Sequence, residues 1–181
     1  MSTYSEAIVV SHDLNSHLES LIVKHSQNGL LLDSNLLLLL FVGLFNRQRI
    51  GSFKRLNAYT ACDYDLLLFI CRTFRRILTT PNILTEVSNL SVAFDGDLAY
   101  DYFGSFAAQL TVLQEQYVAS TMATSQGGFR RLGLTDSVIM VMAELPLLVI
   151  TADLDLTIHL RSLGLDVVNF TNLREWSDRE D

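Results

Sequence analysis

The chain has 181 residues, which is enough for one compact domain with a substantial core and short for two. Apolar residues make up 49% and charged residues 18%, with only two prolines, so this composition excludes an intrinsically disordered chain. The net charge of −7 argues against a polyanionic partner unless the basic residues are concentrated in one place.

The N-terminal part of the chain predicts a helix, a strand and a second helix. Apolar residues recur at helical spacing in residues 13–27, and Asn28-Gly29 then ends that helix. Residues 30–33 (LLLD) and the apolar run 36–45 have the pattern of a buried strand leading straight into a helix. That run is about half of the roughly 20 residues needed to cross a bilayer, so we expect no membrane span.

The middle of the chain continues the alternation of helices and strands. Residues 63–76 predict a helix and residues 77–79 a short strand. Thr80 is then expected to cap a helix whose first residue is Pro81. Residues 97–123 predict a helical section.

The C-terminal part repeats the pattern after a loop at Gly127-Gly128. Thr135 is expected to cap a helix that runs through residue 144. The other expected elements are a strand at 147–151, a helix at 154–163 that Gly164 ends, and a strand at 166–170. Strands that alternate with helices predict an α/β fold with a parallel sheet, in which ligands bind beyond the carboxyl ends of the strands.

Four carboxylates fall near the ends of these elements, where a crevice at the edge of the sheet would lie: Asp33, Glu86, Asp136 and Asp153. Acids gathered there would repel one another, because two unit charges 4 Å apart cost about 4 kcal/mol even at an effective dielectric constant near 20. Divalent cations would relieve this repulsion, and an all-oxygen ligand set favours Mg²⁺ or Mn²⁺ over zinc. Two such ions could activate a water and stabilise the leaving oxygen in phosphodiester hydrolysis.

Each acid also has an ordinary structural explanation when it is considered alone. Asp136 would favour a helix N-terminus, and Asp153 or Asp155 would cap the helix that follows. Glu86 would be a solvated helix residue. Asp33 is the hardest to explain in this way, because its apolar neighbours are expected to be buried.

Four segments resemble the acidic motifs of PIN domains, in the same order: LLLDSNLLL, TPNILTEVSNL, GLTDSVIMVMA and LLVITADLDL. That family comprises metal-dependent nucleases, among them the toxin ribonucleases of bacterial toxin–antitoxin pairs. The resemblance covers residues 29–170. Its second motif is the most specific, because it pairs Thr-Pro with a glutamate five residues after the proline, and the strand–Thr-x-Asp motif is the next.

The resemblance implies a PIN-like three-layer α/β/α sandwich with a central, mainly parallel sheet. The nuclease domain would occupy residues 29–172, between an N-terminal helical extension at 1–28 and an acidic tail at 173–181. It implies that one quartet is both catalytic and metal-binding, with Mg²⁺ or Mn²⁺ as the cofactor: Asp33, Glu86, Asp136 and Asp153. Three further residues would support this site: Asn35, Thr151 and Asp155.

The activity that the resemblance implies is cleavage of single-stranded RNA by metal-activated water. Members of the family commonly dimerise and the apolar content is high, so a homodimer is expected, and a toxin would also have an antitoxin partner. Cys62 and Cys71 form no CxxC pair, which indicates reduced thiols in a cytoplasmic protein. The first residues lack a basic segment before a long apolar core, so no signal peptide is expected.

The basic residues are concentrated in one part of the chain. Seven of the 13 lysines and arginines lie between residues 47 and 76, and residues 46–62 look like an insertion relative to compact PIN domains. Phe53 and Tyr59 accompany them, so the segment could bind single-stranded RNA through phosphate contacts and base stacking. A solvated or subunit-facing surface is the alternative. The predicted RNA-binding residues are Arg47, Arg49, Lys54, Arg55, Arg130 and Arg131.

Missing motifs argue against other classes of enzyme. A phosphatase of the haloacid dehalogenase type needs a second aspartate where this chain has Asn35, and a receiver domain needs a late lysine, whereas the last lysine is Lys54. There is no GxxxxGK[ST] for a P-loop and no histidine or cysteine spacing typical of zinc sites. A PIN-fold module that binds RNA or a protein without cutting stays open, although four intact acids argue against it.

Overall fold

The computed structural model describes residues 16–94 and 96–177. Five strands form one sheet in the order β3-β2-β1-β4-β5, and every neighbouring pair is parallel. The strands are β1 Leu30–Leu32, β2 Ile77–Thr79, β3 Gln114–Glu115, β4 Leu148–Thr151 and β5 Val167–Asn169. Helices flank this sheet, and the prediction of an α/β/α sandwich with a parallel sheet is confirmed.

Helices connect the strands and precede and follow the sheet. Helix α1 covers residues 16–25. The others are α2 Ser34–Asn46, α3 Ala61–Arg72, α4 Pro81–Leu90, α5 Gly96–Leu110, α6 Ser120–Thr124, α7 Phe129–Ala143, α8 Leu154–Ser162 and α9 Phe170–Ser177. Short 3-10 turns occupy Arg47–Ser52, Lys54–Leu56 and Ser91–Ala93. In the described ranges, no helix combines the length and the apolar character that a bilayer span requires.

The core lies around β1 and α2. All three residues of β1 are buried, because strands pair with β1 on both sides and helices cover the sheet. Residues 36–43 of α2 are also buried, so the leucine-rich run is a core helix, as predicted. The strand order turns back after β3, and right-handed connections therefore place the helices before and after this reversal on opposite faces.

The middle of the chain differs from the predicted helical section at 97–123. It contains α5, the two-residue strand β3 and the short α6. Strand β3 pairs with Leu78 and Thr79 of β2 and extends the sheet by one strand. Two residues are too few for a recognisable alternation of apolar and polar side chains, so this strand left no signal in the sequence.

The helix that contains Asp136 begins earlier than predicted. Helix α7 starts at Phe129 and is kinked at Gly133, whose φ of 86° and ψ of −171° are not helical. The prediction that Thr135 caps this helix is wrong, because the second piece starts directly after Gly133. The Ser137 hydroxyl donates a hydrogen bond of 2.7 Å to the Gly133 carbonyl and closes the first turn after the kink.

The first and the last described helices both pack on the domain. In α1, Leu21 is buried and the His25 ring lies 2.7 Å from an Asp166 carboxylate oxygen, while residues 13–15 of the predicted helix lie outside the described ranges. The boundary predicted after residue 172 falls inside α9, where Leu173 is buried and Arg174 donates to Asp63 at 2.5 Å. The first two residues of the predicted tail, Leu173 and Arg174, therefore belong to a helix that contacts the domain.

Candidate active site

The candidate site lies where the chain reverses its direction across the sheet. Strands β1 and β4 are neighbours, but the connection after β1 leads to β2 on one side and that after β4 leads to β5 on the other. Such a reversal leaves a crevice at the carboxyl ends of the strands. Asp33 directly follows β1, and Asp153 follows β4 with one residue between.

Asp33 is a buried carboxylate that receives three hydrogen bonds. Its Oδ1 accepts from the Leu36 N–H at 2.8 Å, which caps helix α2. Its Oδ2 accepts from the Thr151 hydroxyl at 2.5 Å and from the Ala152 N–H at 2.8 Å. Burial raises the pKa of Asp33, and these donors partly oppose that rise. The structure therefore supplies protein partners for the aspartate that was hardest to explain from the sequence.

Thr151 connects Asp33 to Asp153. Its fully buried hydroxyl donates to Asp33 and accepts a hydrogen bond of 2.9 Å from the Asp153 N–H. Asp153 in turn caps helix α8, because its Oδ1 accepts from the Leu156 N–H at 2.9 Å. The capping role that the sequence offered as the ordinary explanation for Asp153 is thus present, and its Oδ2 has no hydrogen-bond partner in the described structure.

Glu86 reaches the same crevice from helix α4. That helix starts as predicted, with Thr80 accepting a hydrogen bond of 3.4 Å from the Ile83 N–H and Pro81 in the first position. The Ser34 hydroxyl donates to Glu86 Oε2 at 3.1 Å, so the residue after Asp33 holds the second acid. Ser34 was not predicted to be a site residue, although it lies within the first acidic motif.

Asp136 comes from the second piece of α7 and is half-buried. Burial is the main cause that raises its pKa to about 7, and the charges of Asp153, Asp33 and Glu86 raise it further. The charges of the other three acids therefore all act on Asp136. The side chain of Asp136 makes no hydrogen bond within the described ranges, in contrast to the side chains of the other three acids.

The donors fit a hard divalent cation in chemistry but do not form a closed ligand set. All four acids offer carboxylate oxygens, the ligands that Mg²⁺ and Mn²⁺ prefer. Among residues 16–94 and 96–177, however, no three or more His, Cys, Asp or Glu side chains are gathered as a metal-holding group. The hydrogen bonds to Asp33 and Asp153 occupy some of the oxygens that an ion would need.

Two of the three predicted supporting residues lie away from these contacts. Asn35 is exposed in the first turn of α2, and the tie to Glu86 comes from Ser34 instead. Asp155 is exposed and lies 3.8 Å from the Arg131 guanidinium, so it faces a cation at the start of α7. Of the three predicted supporting residues, only Thr151 contacts an acid of the quartet through its side chain.

The aromatic residues of the basic segment do not offer exposed rings. Phe53 is 5% exposed and packs on Phe94, with ring centroids 4.6 Å apart. Tyr59 is half-buried, and the Arg174 guanidinium lies 5.3 Å from its ring centre. The prediction that Phe53 stacks on a base is wrong, because its ring is buried against Phe94, whereas base stacking by Tyr59 stays a prediction.

The predicted cations are exposed but differ in their surroundings: Arg47, Arg49, Lys54, Arg55, Arg130 and Arg131. Arg47 forms a two-contact ion pair with Asp65, in which Nε lies 2.9 Å from Oδ1. Lys54 and Arg55 make no ion pair with another described residue and line a pocket of about 460 Å³ together with Asn89. Their charges are available to a ligand.

A larger open pocket, of about 570 Å³, adjoins the acids. Glu86 lies in its wall, together with polar residues of α4 and residues of the segment between β3 and α6. Tyr117 of that segment is 81% exposed. Tyr117 was not predicted to be a site residue, because a single tyrosine in an irregular segment has no motif around it.

No family model matches the chain, and no curated protein matches it either.

Proposed function

We propose that the protein is a metal-dependent endoribonuclease that hydrolyses phosphodiester bonds of single-stranded RNA. The observation that supports this proposal best is that Thr151 holds Asp33 and the backbone of Asp153 at the crevice between β1 and β4, where the charges of these two acids and of Glu86 act on Asp136. An acid whose pKa is raised to about 7 by burial and by three neighbouring carboxylates is typical of functional sites. The order of the acidic motifs resembles PIN domains and points to the same chemistry.

A bound Mg²⁺ or Mn²⁺ would supply a Lewis acid that activates water and offsets developing negative charge. The chain's own residues would hold and orient this site. Thr151 fixes one oxygen of Asp33 and the backbone of Asp153, and Ser34 fixes Glu86. The Asp136 carboxylate accepts no hydrogen bond in the described structure. It would therefore be the acid most free to adjust its position when a cation binds.

We further propose a cytoplasmic protein that acts as a homodimer. Exposed apolar side chains such as Phe69 and Val112 are consistent with self-association. A toxin role with an antitoxin partner remains part of the proposal on the strength of the motif resemblance alone.

A binding module without catalysis is the second candidate. The hydrogen bonds that make Asp33 and Asp153 helix caps give these acids a structural purpose. The lack of a ready-made group of metal ligands among the described residues also favours this candidate. Such a module would bind single-stranded RNA or a protein partner without cleaving it.

The decisive experiment compares Asp136→Asn with Asp155→Asn. The Asp136 side chain has no hydrogen bond to lose, so Asp136→Asn removes its charge and leaves the helix caps formed by Asp33 and Asp153 intact. Asp155 is an exposed acid and serves as the control. We expect the native protein to cleave labelled single-stranded RNA with Mn²⁺ and not with EDTA. Asp136→Asn should reduce the rate by at least about 100-fold, or about 2.7 kcal/mol in activation free energy.

Two outcomes would reject the nuclease. Cleavage that persists in EDTA and in Asp136→Asn would contradict the proposed mechanism. Tight RNA binding by a native protein that never cleaves, with or without Mn²⁺, would establish the binding module instead.

A further inference from the structure

We infer that the pocket beside Glu86 binds one nucleobase of single-stranded RNA against the ring of Tyr117, with the adjacent phosphates at Lys54 and Arg55. The inference rests on the proposed function, because it takes RNA as the ligand. It adds a subsite for one base and a path for the RNA strand across the surface.

Tyr117 combines high exposure with a well-anchored backbone. The preceding residue, Gln116, donates its N–H to the Thr79 carbonyl at 2.9 Å, which ties the segment to the end of β2. The following residue, Val118, is buried. The ring is therefore held at the carboxyl edge of the sheet while 81% of the residue faces solvent. An aromatic ring on a fixed backbone can stack on a base without a large ordering cost.

The wall of the pocket opposite this segment comes from one face of helix α4. Asn82, Thr85, Glu86 and Asn89 follow helical spacing and all line the pocket. Two of these side chains are amides, which can both donate to and accept from the edge of a base. The volume of about 570 Å³ lies within the usual range for small-ligand pockets.

Asn89 joins this pocket to the basic one. It lines the pocket that contains Glu86 and also the pocket lined by Lys54 and Arg55. A strand that leaves the acids along α4 would therefore pass Asn89 and reach two cations that no described acid pairs with. Negative charge at one end and positive charge at the other would place the phosphates of the bound nucleotides toward Lys54 and Arg55.

Single-stranded RNA fits this arrangement better than a duplex. A base in a duplex is covered by its neighbours, whereas an unpaired base can leave the stack and cover an aromatic ring. A peptide would not need an aromatic platform next to unpaired cations. A protein ligand would be indicated only if the protein bound no RNA in the test below.

The test is equilibrium binding of fluorescein-labelled oligouridine, measured by anisotropy in EDTA so that no cleavage occurs. An abasic oligomer of equal length serves as a second probe, because it keeps the phosphates and lacks the bases. Tyr117→Leu removes the ring, Tyr117→Phe keeps it, and Tyr100→Leu is the matched control at a tyrosine that is 84% exposed and lies in α5, outside the pocket.

We expect Tyr117→Leu to weaken binding of oligouridine by about tenfold, as the loss of one stacked base predicts, and to leave binding of the abasic oligomer unchanged. Tyr117→Phe and Tyr100→Leu should bind both probes as the native protein does. Equal binding of oligouridine by Tyr117→Leu and native protein would overturn the base subsite, and so would equal weakening on both probes.

This binding experiment and the Mn²⁺ cleavage assay together separate the two proposals. If the native protein cleaves RNA but Tyr117→Leu binds normally, the nuclease stands and the subsite falls. If the native protein binds neither probe and cleaves no RNA, both fall, and a protein ligand becomes the explanation for the pocket.

Discussion

The hydroxyl of Thr151 donates a hydrogen bond of 2.5 Å to Asp33 while it accepts one of 2.9 Å from the Asp153 N–H. One buried side chain thereby fixes the positions of two acids that follow neighbouring strands. Because the hydroxyl is fully buried, no water can replace it if it is removed. The candidate site depends on this contact for its shape.

Replacing Thr151 with valine should therefore destabilise the protein. The change keeps the volume but leaves a buried carboxylate with one donor fewer, at a cost of about 1–3 kcal/mol. Thr151→Ser retains the hydroxyl and is the control. Urea unfolding should give a lower midpoint for the valine variant than for the serine variant, and equal midpoints would show that the hydrogen bond does not stabilise the fold.

Because folding raises the pKa of Asp136, we expect the free energy of unfolding to fall as pH rises. Its pKa moves from the ordinary 3.8 to about 7 on folding, so between these values the folded protein holds a proton that the unfolded chain has lost. The stabilisation is complete below the unfolded pKa of 3.8 and is lost as pH rises through about 7. Asp33, whose pKa is also raised, acts in the same direction.

Thermal unfolding at a series of pH values tests this dependence. Asp136→Asn should flatten the profile and stabilise the protein above pH 7 by about 1–2 kcal/mol, a figure reduced for partial exposure of the carboxyl group. Asp155→Asn should follow the native profile. If Asp136→Asn also follows the native profile, Asp136 does not titrate as the structure indicates.

Lys54 and Arg55 should contribute to RNA affinity through phosphate contacts. Each phosphate contact on a single strand adds about 0.7 to the slope of log affinity against log salt, so Arg55→Gln should lower the slope by about 0.7 and the double variant with Lys54→Gln by about 1.4. Arg72→Gln, an exposed arginine at the end of α3, is the control. If the Arg55→Gln variant and the double variant gave the same salt slope as Arg72→Gln, the basic segment would be a solvated face and not an RNA-binding one.

Gly43 in α2 should not tolerate a side chain. A Cβ atom there would lie 2.1 Å from Cδ2 of buried Tyr64, so Gly43→Ala should destabilise the protein by about 1–3 kcal/mol. Gly104 in α5 has no heavy atom within 4 Å of such a Cβ, and Gly104→Ala should stabilise by about 0.5–1 kcal/mol. Denaturant unfolding of both variants checks the contrast, and a neutral Gly43→Ala would mean that Tyr64 moves aside freely.

Several features of the fold and the site could be predicted from local sequence pattern. The run of leucines after Asp33 could only be buried on all sides, and Thr80-Pro81 carried the signal of a helix start. Strand–helix alternation implied a parallel sheet, which brings acids at the ends of different strands to one edge. The positions of the acids near those ends followed from the same pattern.

Other features had no local signal. Whether Phe53 faces a ligand or the core depends on Phe94, which is distant in sequence. Strand β3 forms by pairing with the edge of β2, and the kink in α7 is the non-helical backbone of one residue, Gly133. The backbone next to Tyr117 lies at the carboxyl edge of the sheet because Gln116 donates to the Thr79 carbonyl.

The sequence by itself determined the order of strands and helices apart from β3, and the presence of four acids near their ends, because periodicity and turn chemistry act between close neighbours. Only the tertiary structure decided which atoms of those acids are already engaged. Thr151 and Ala152 reach Asp33, and Ser34 reaches Glu86, across the sheet and the crevice. A hydrogen bond between residues far apart in the chain depends on distances of a few tenths of an ångström, and these are set by packing.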